Sequence, residues 1–218
     1  MTFSRLLHPS CWNCWLRWVG CIFLGVLVLW SVPARALGGQ ESARRYQHTV
    51  WSAKDGIPGP VWAVAQTPDG YLWIASQAGL YRFDGVRFVL WSPGTGEKLP
   101  FSTVHALRVA RDGSLWMGFD SGAVSRLRDG QVTNYFPGSG LPKGGILSVV
   151  EAGDGTMWAC GQYGLSRFKN GVWQAVGKEM GFPAQGGQTL LADRAGNLWV
   201  ATDGFNFGLS ADRVRSNT

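Results

Sequence analysis

The sequence predicts an all-β protein built from β-propeller blades. Four tryptophans, Trp73, Trp116, Trp158 and Trp199, end four copies of one phrase: DGYLW, DGSLW, DGTMW and AGNLW. The copies follow each other at intervals of 43, 42 and 41 residues, which is the period of a four-stranded propeller blade. Short runs rich in Val, Phe, Trp and Tyr between glycine turns indicate antiparallel strands. We expect about four four-stranded antiparallel blades, forming an incomplete propeller behind a signal-peptide helix.

The first predicted element is an N-terminal leader, residues 1–36. Arg5 and Arg17 precede an apolar stretch, and the triplet ARA at 34–36 has the small residues of a signal-peptidase site. An apolar run of roughly 15 residues fits a signal peptide better than a membrane span. We predict export to the periplasm with cleavage after residue 36. An uncleaved signal anchor in the inner membrane is the alternative.

Residues 37–218 are predicted to form the blades. The expected blades span 61–91, 104–136, 146–176 and 188–210, and each should contain an apolar strand, a Trp strand after an Asp-Gly pair, a third strand opened by glycine, and a fourth strand. The Asp-Gly pair predicts a two-residue hairpin in which both residues have positive φ. The last blade is expected to be incomplete, since 207–210 offers a damaged third strand and no fourth.

Segment 46–51 resembles a fourth strand that arrives before any first strand. We expect it to be a closing strand, because propellers remove open sheet edges by completing the last blade. Two closures are open. One is a larger ring completed by residues outside this chain, and the other is a four-bladed ring closed by 46–51.

The repeated residues are interpreted as structural. The tryptophans are expected to pack between neighbouring sheets, where a large ring buries much apolar surface. The third-strand arginines are expected on the outside of each blade with solvated head groups; they are Arg82, Arg126 and Arg167. Cys160 takes a strand position that holds small residues in the other blades, so we expect a small buried side chain rather than a reactive thiol.

Charge and composition exclude several classes. The net charge of +6 includes three arginines of the leader and is spread across the repeats, which is not the footprint of a nucleic-acid-binding protein. No group of carboxylates or of His and Cys recurs as a catalytic or metal cluster. We therefore expect no catalytic residue, no metal and no cofactor.

Residues 46–88 resemble the opening blade of the two-component regulator propeller family. The lead-in W-x-x-x-D-G-[LI]-P runs from Trp51 to Pro58, and D-G-x-[LI]-W and G-L-x-R-[FY]-D-G follow. The resemblance covers about 46–202. It implies an extracytoplasmic sensor ahead of a β-sandwich module, a membrane helix and a histidine kinase or diguanylate cyclase. This sequence contains no kinase, ATP-binding or GGDEF-type motif, so any output activity is expected in a missing C-terminal part.

A ligand-sensing or interaction propeller is the function that the resemblance implies, with carbohydrate-derived ligands in some members. Two other classes remain open: a structural or dimerising scaffold, in which a second copy, further blades or the β-sandwich module is the partner, and a propeller lyase or hydrolase. The fold alone does not decide among these classes, because one fold supports unrelated functions.

A ligand site is predicted on the face formed by the loops between second and third strands and by the connections between blades. These loops differ from blade to blade, whereas the Asp-Gly turns repeat one formula. The predicted ligand-binding residues carry amides, carboxylates, a hydroxyl and one aromatic ring: Gln77, Asp120, Ser121, Gln162, Tyr163 and Asp203. They suit a polar, sugar-like ligand, with Tyr163 stacking on it.

Overall fold

The structure is a computed structural model. It describes residues 48–57, 59–94, 98–177, 182 and 186–202, and the backbone of two C-terminal strands, 205–210 and 213–217. The predicted leader 1–36 lies outside the described residues. Within them, the regular structure is strand, apart from one 3-10 turn at Ala53–Asp55. No helix in this described part is long and apolar enough to cross a membrane.

The strands form four antiparallel sheets that follow one another along the chain. Blade one contains β1 (Val61–Gln66), β2 (Leu72–Ser76), β3 (Gly79–Phe83) and β4 (Phe88–Leu90). Blade two contains β5 (Val104–Val109), β6 (Leu115–Phe119), β7 (Val124–Arg128) and β8 (Gln131–Tyr135). Blade three contains β9 (Lys143–Glu151), β10 (Met157–Lys169) and β11 (Val172–Val176). Blade four contains β12 (Thr189–Ala192), β13 (Leu198–Thr202), β14 (Phe205–Ser210) and β15 (Arg213–Asn217). The predicted all-β class and its four blades are confirmed.

Blade three differs from the expected four separate strands. β10 runs without a break through the positions of the second and third strands, because Tyr163 pairs with Lys143 at the start of β9. Its first part pairs with β9 and its second part, from Leu165 to Lys169, pairs with β11. The early start of β9 therefore brings residues that were predicted to lie in a loop into the sheet.

One expectation about the ends of the propeller is wrong, and the closing strand at 46–51 stays a prediction. Blade four has a fourth strand, since β15 pairs with β14 from Asn206 opposite Asn217 to Ser210 opposite Arg213. The run RVRSN lacks the apolar residues of the other fourth strands, so the sequence did not predict a strand there. Residues 48–51 of the expected closing strand are in no strand, and residues 46 and 47 lie outside the described residues.

The first Asp-Gly turn of each blade is not the predicted two-residue hairpin. In the first turn of blade two, Gly113 has a positive φ, of 81°, and Asp112 does not. Asp112 instead accepts hydrogen bonds from the backbone N–H of Ser114 at 3.0 Å and from its hydroxyl at 2.6 Å, as an Asx turn does. The two-residue geometry occurs at the second glycine turn of blade two, where Asp129 and Gly130 have φ of 51° and 77°.

The core lies between blades, as predicted for the repeated tryptophans. Trp73 packs among the residues of blade two, Trp116 among those of blade three, and Trp158 among those of blade four. All three rings are buried. Cys160 is fully buried at the last of these junctions, which confirms the interpretation of a small core residue. Burial raises the pKa of its thiol to about 12.

Candidate functional site

The candidate site lies where first strands begin and second strands end. Antiparallel pairing places Val61 opposite Ser76 in blade one and Val104 opposite Phe119 in blade two. The loop after each second strand therefore lies beside the start of the first strand. This end of the blades brings the predicted loop residues close to first-strand residues that the sequence analysis had not assigned to a site.

A β-bulge recurs at the start of the first strand. The register shifts between Val61 and Ala63 in blade one and between Val104 and Ala106 in blade two, so that Trp62 and His105 are the extra residues. Bulges of this kind redirect a side chain and are common at binding sites. The Trp62 and His105 rings lie 4.9 Å apart between centroids, tilted by 41°.

Two adjacent glycines bring the predicted site residues of blades two and three together. A Cβ added at Gly145 would lie 3.0 Å from Oδ1 of Asp120. A Cβ added at Gly144 would lie 2.7 Å from Oε1 of Gln162 and 3.0 Å from Cδ2 of Tyr163. The backbone at 144–145 therefore lies directly between Asp120 on one side and Gln162 and Tyr163 on the other. A residue larger than glycine at 144 or 145 would push these side chains away.

Contacts connect this cluster across three blades. The His105 Nε2 atom lies 3.4 Å from Oδ1 of Asp120, and Trp62 packs on His105. Tyr163 is 68% exposed, and Asp120 and Gln162 are also exposed residues. We call these five residues the edge cluster. It combines two exposed aromatic rings with a carboxylate, an imidazole and an amide.

The remaining predicted residues take different places. Gln77 reaches the cluster only through its backbone: its carbonyl accepts a hydrogen bond from the Thr103 hydroxyl at 3.4 Å, and the Thr103 carbonyl accepts one from the Asp120 N–H at 3.3 Å. The Ser121 hydroxyl accepts a hydrogen bond from the Ala123 N–H within its own turn. Asp203 lies outside the described residues.

One of the third-strand arginines, Arg126, is held by a carboxylate. The Arg126 side chain is only 25% exposed, and its guanidinium donates to Oδ2 of Asp112 at 2.6 Å and lies 5.4 Å from the Trp116 ring centroid. The expectation of a solvated head group is wrong here, because Asp112 holds the guanidinium over the ring. Burial acts to raise the pKa of Asp112, but the hydrogen bonds from Ser114 and Arg126 outweigh it and lower the pKa.

Two clefts lie away from the edge cluster. One, of about 370 Å³, opens beside the first glycine turns of blades one and two and is lined by Asp69, Arg82 and Asp112, among others. The other, of about 480 Å³, is more apolar and lies between Leu90 and Phe101. None of the five predicted site residues that the structure describes lines either cleft.

Sequence reasoning missed the bulge position. In each blade, one first-strand residue directly precedes the pair that joins the first strand to the residue two after the repeated tryptophan, such as Ala63 with Ala75 or Thr189 with Ala201. The residues at this position are Trp62, His105, Leu147 and Gln188. The residue type changes at this position in every blade, while neighbouring positions stay small or apolar. This variation among the repeats could have indicated the bulge position as part of a site.

The four sheets and their packing define the chain as a set of β-propeller blades. Residues 55–78 match the family model described as Two component regulator propeller. The resemblance noted from the sequence is confirmed by this match. No curated protein matches the sequence.

Solved structures share this fold. An extracellular domain assigned to a hybrid two component system of B. thetaiotaomicron superposes with a TM-score of 0.65 at 18% identity, covering 79% of this chain and 24% of that one. An extracellular domain assigned to a one component system of the same organism gives a TM-score of 0.57 at 18% identity, covering 77% and 24%. A catalytically inactive virginiamycin B lyase from Staphylococcus aureus gives 0.58 at 16% identity, covering 73% and 57%. The chain therefore spans 24% of the length of the first of these chains, and at such identities the likeness is one of fold.

Proposed function

We propose that this chain is an extracytoplasmic binding propeller whose edge cluster takes a small, polar, sugar-like ligand. The observation that carries the proposal is the convergence of Trp62, His105, Asp120, Gln162 and Tyr163 at one end of three successive blades. The ligand-sensing role that the family resemblance implies fits this placement. In this proposal the chain binds and does not catalyse, and signal output belongs to a longer parent protein.

The chemistry of the edge cluster supports a carbohydrate-like ligand. Exposed aromatic faces such as those of Trp62 and Tyr163 offer apolar area with little conformational entropy to lose, and they suit the C–H faces of a sugar ring. Asp120 and Gln162 offer acceptors and an N–H donor to hydroxyl groups. Binding sites commonly combine aromatic walls with a few well-placed polar groups in this way.

The bulges supply the positioning that such a site needs. Trp62 and His105 are held by sheet pairing on both sides of the bulge, so their backbone is fixed before a ligand arrives. Tyr163 is likewise fixed by its pairing with Lys143. A preformed site loses less entropy on binding than one built from free loops.

The test is ligand-induced stabilisation of the full chain. A library of mono- and oligosaccharides is screened by thermal shift, and hits are confirmed by isothermal titration calorimetry. A ligand that binds only the folded state raises the melting temperature. We expect Tyr163→Ala and Asp120→Ala each to weaken the binding of a hit at least tenfold.

Phe136→Ala is the matched control, because Phe136 is also an exposed ring but lies outside the edge cluster. It should leave the affinity unchanged. A hit whose affinity is insensitive to Trp62→Ala, Asp120→Ala and Tyr163→Ala would place its site elsewhere, the apolar cleft beside Phe101 being the next one to test. A library without any hit would contradict a sugar-like ligand.

Export is a separate part of the proposal. It rests on the basic flank, the apolar run and the ARA triplet at 34–36 in the leader. Cell fractionation with N-terminal sequencing should find a periplasmic chain that begins at Leu37. A membrane-held chain that begins at Met1 would favour the signal anchor, and a cytoplasmic chain that begins at Met1 would contradict export.

A further inference from the structure

The cleft of about 370 Å³ lies at the junction between blades one and two, which we call the first junction. Trp73 and Trp91 of blade one contribute to one wall, and Leu115 and Leu127 of blade two contribute to the other. Both blades are four-stranded sheets, and they are neighbours within the row of blades. The junction between blades two and three, which we call the second junction, has the same layout and shows what can fill such a space.

Aromatic rings fill the corresponding place at the second junction. Phe168 and Trp173 of blade three lie 5.1 and 6.0 Å from Trp116 of blade two, between ring centroids. In blade two the equivalent residues are Leu127 and Val132: Leu127 directly follows the third-strand arginine, as Phe168 does, and each pairs with its partner in the fourth strand. The first junction therefore has two aliphatic side chains where the second has two rings.

Blade one nevertheless keeps the aromatic wall that meets such a ring. The centroids of Trp73 and Trp91 lie 5.3 Å apart, edge to face. Trp91 lies where Tyr135 lies in blade two, beside the start of the third strand, and Tyr135 contacts Phe168 at a centroid distance of 5.2 Å. Two tryptophans therefore line a space from which the opposing ring is missing. A planar aromatic ring suits this space, because aromatic pairs are stabilised at such distances.

Two opposite charges that line the cleft have no ion-pair partner among the described residues. The Arg82 guanidinium lies 4.3 Å from the Tyr71 ring centroid, whereas the equivalent Arg126 of blade two is held by a carboxylate at 2.6 Å. The Asp69 carboxylate accepts hydrogen bonds only from its own turn. A guanidinium pairs well with a carboxylate, and a carboxylate with an ammonium group. The cleft therefore favours a molecule that carries both ionic groups.

We propose that the cleft at the first junction binds a free aromatic amino acid. The ring of the ligand takes the place that an aromatic side chain has at the second junction, its carboxylate pairs with Arg82, and its ammonium group pairs with Asp69. The other charges of the lining already neutralise one another, since Arg128 lies 3.4 Å from Asp112 and 3.5 Å from Asp129. The cleft lies beside the Asp-Gly turns, at the opposite end of the strands from the edge cluster, so this site is independent of the proposed sugar-like ligand.

Isothermal titration calorimetry of the full chain with L-phenylalanine tests the proposal. Three compounds each lack one feature of this probe: L-leucine lacks the ring, 3-phenylpropanoate lacks the ammonium group, and phenethylamine lacks the carboxylate. We expect L-phenylalanine to bind and each of the three compounds to bind at least tenfold more weakly, because each loses either the ring contact or a charge-assisted hydrogen bond.

Two variants test the two halves of the site. Leu127→Phe introduces the residue that blade three carries at this position, so it should abolish phenylalanine binding and raise the melting temperature of the unliganded chain, as filling a cavity commonly does. Arg82→Gln should weaken phenylalanine binding at least tenfold and leave phenethylamine, which has no carboxylate, unchanged. Arg167→Gln, at the same strand position in blade three, is the matched control and should leave the phenylalanine affinity unchanged.

Several outcomes would overturn the proposal. These are no binding of L-phenylalanine at millimolar concentration, L-leucine binding as tightly as L-phenylalanine, and an affinity that Leu127→Phe and Arg82→Gln both leave unchanged. A Leu127→Phe chain that does not fold would show that the cleft has no room for a ring. Phenylalanine binding that Tyr163→Ala weakens as much as Arg82→Gln does would place this ligand in the edge cluster instead.

Discussion

Replacement of the repeated tryptophans by alanine should have very unequal effects on stability. Trp116 and Trp199 occupy the same position of the repeat, but Trp116 is 3% exposed and Trp199 is 36% exposed. Trp116 packs between two sheets, with ring centroids of Phe168 and Trp173 at 5.1 and 6.0 Å. Its Nε1 donates to the Ser114 hydroxyl at 3.1 Å.

The magnitudes follow from burial and from the cavity left behind. Truncation of a buried Trp to Ala costs about 3–5 kcal/mol of unfolding free energy, because transfer and cavity terms add. Trp116→Ala should fall in this range, since blade three closes the site on the other side. Trp199→Ala leaves no closed cavity and removes less buried area, so we expect a loss of about 1–2 kcal/mol.

Urea unfolding followed by circular dichroism measures both losses. Equal m-values for the two variants would show that the comparison is between stabilities alone. A loss for Trp199→Ala as large as that for Trp116→Ala would refute the reasoning that packing between blades determines these energies.

Three further outcomes are expected. Gly140→Ala should lower the unfolding free energy much more than Gly130→Ala does, or prevent stable folding, because a Cβ at Gly140 would collide with the Trp173 carbonyl. Gly130 also has a positive φ but faces open space, so Gly130→Ala should cost only about 1–2 kcal/mol. Similar urea midpoints for the two variants would contradict this. Cys160 should resist iodoacetamide at pH 8 in the folded chain and react in urea, because burial raises the pKa of its thiol to about 12. Mass spectrometry of the Cys160 peptide measures the labelling, and a rate in the folded chain equal to that in urea would contradict the burial of the thiol. Hydrogen bonds from Asn197 and Trp199 lower the pKa of Asp193 from 3.8 to about 2, so this carboxylate stabilises the fold above pH 4 and its contribution is lost as the pH falls from 4 toward 2. Asp193→Asn should lower the urea midpoint at pH 7 and should make the midpoint fall less steeply below pH 4. A variant whose urea midpoint depends on pH as that of the wild type does would contradict this.

The blade count and the role of the repeated tryptophans could be predicted because their signals are local and periodic. Each Trp strand, with its preceding Asp-Gly or Gly turn, carries its own pattern, and four copies of the pattern reinforce one another. Turn type was less predictable. Asp112-Gly113 and Asp129-Gly130 read alike in sequence, yet only the second pair adopts positive φ at both residues. The Asp112 side chain bonds to Ser114 in the first case, and this local competition is not visible from the dipeptide.

The site was only partly predictable. The sequence placed Asp120, Gln162 and Tyr163 in variable loops, and variation among repeats is visible without coordinates. It did not assign Trp62 and His105 to the site, because a β-bulge has no side-chain pattern of its own: it arises from how two strands pair. Gln77 stays a prediction, and its link to the cluster runs through backbone atoms of Thr103.

What the sequence by itself determined is the repeat, the strand content and the family resemblance, since all three depend on residues near one another in the chain. What only the tertiary structure decided is which faces are buried and which side chains meet. Trp73, Trp116 and Trp158 are buried and Trp199 is partly exposed although all four end the same phrase, because burial depends on whether another blade packs against the ring. The edge cluster has the same origin. Its five residues come from three blades, and the stacking of those blades brings them together.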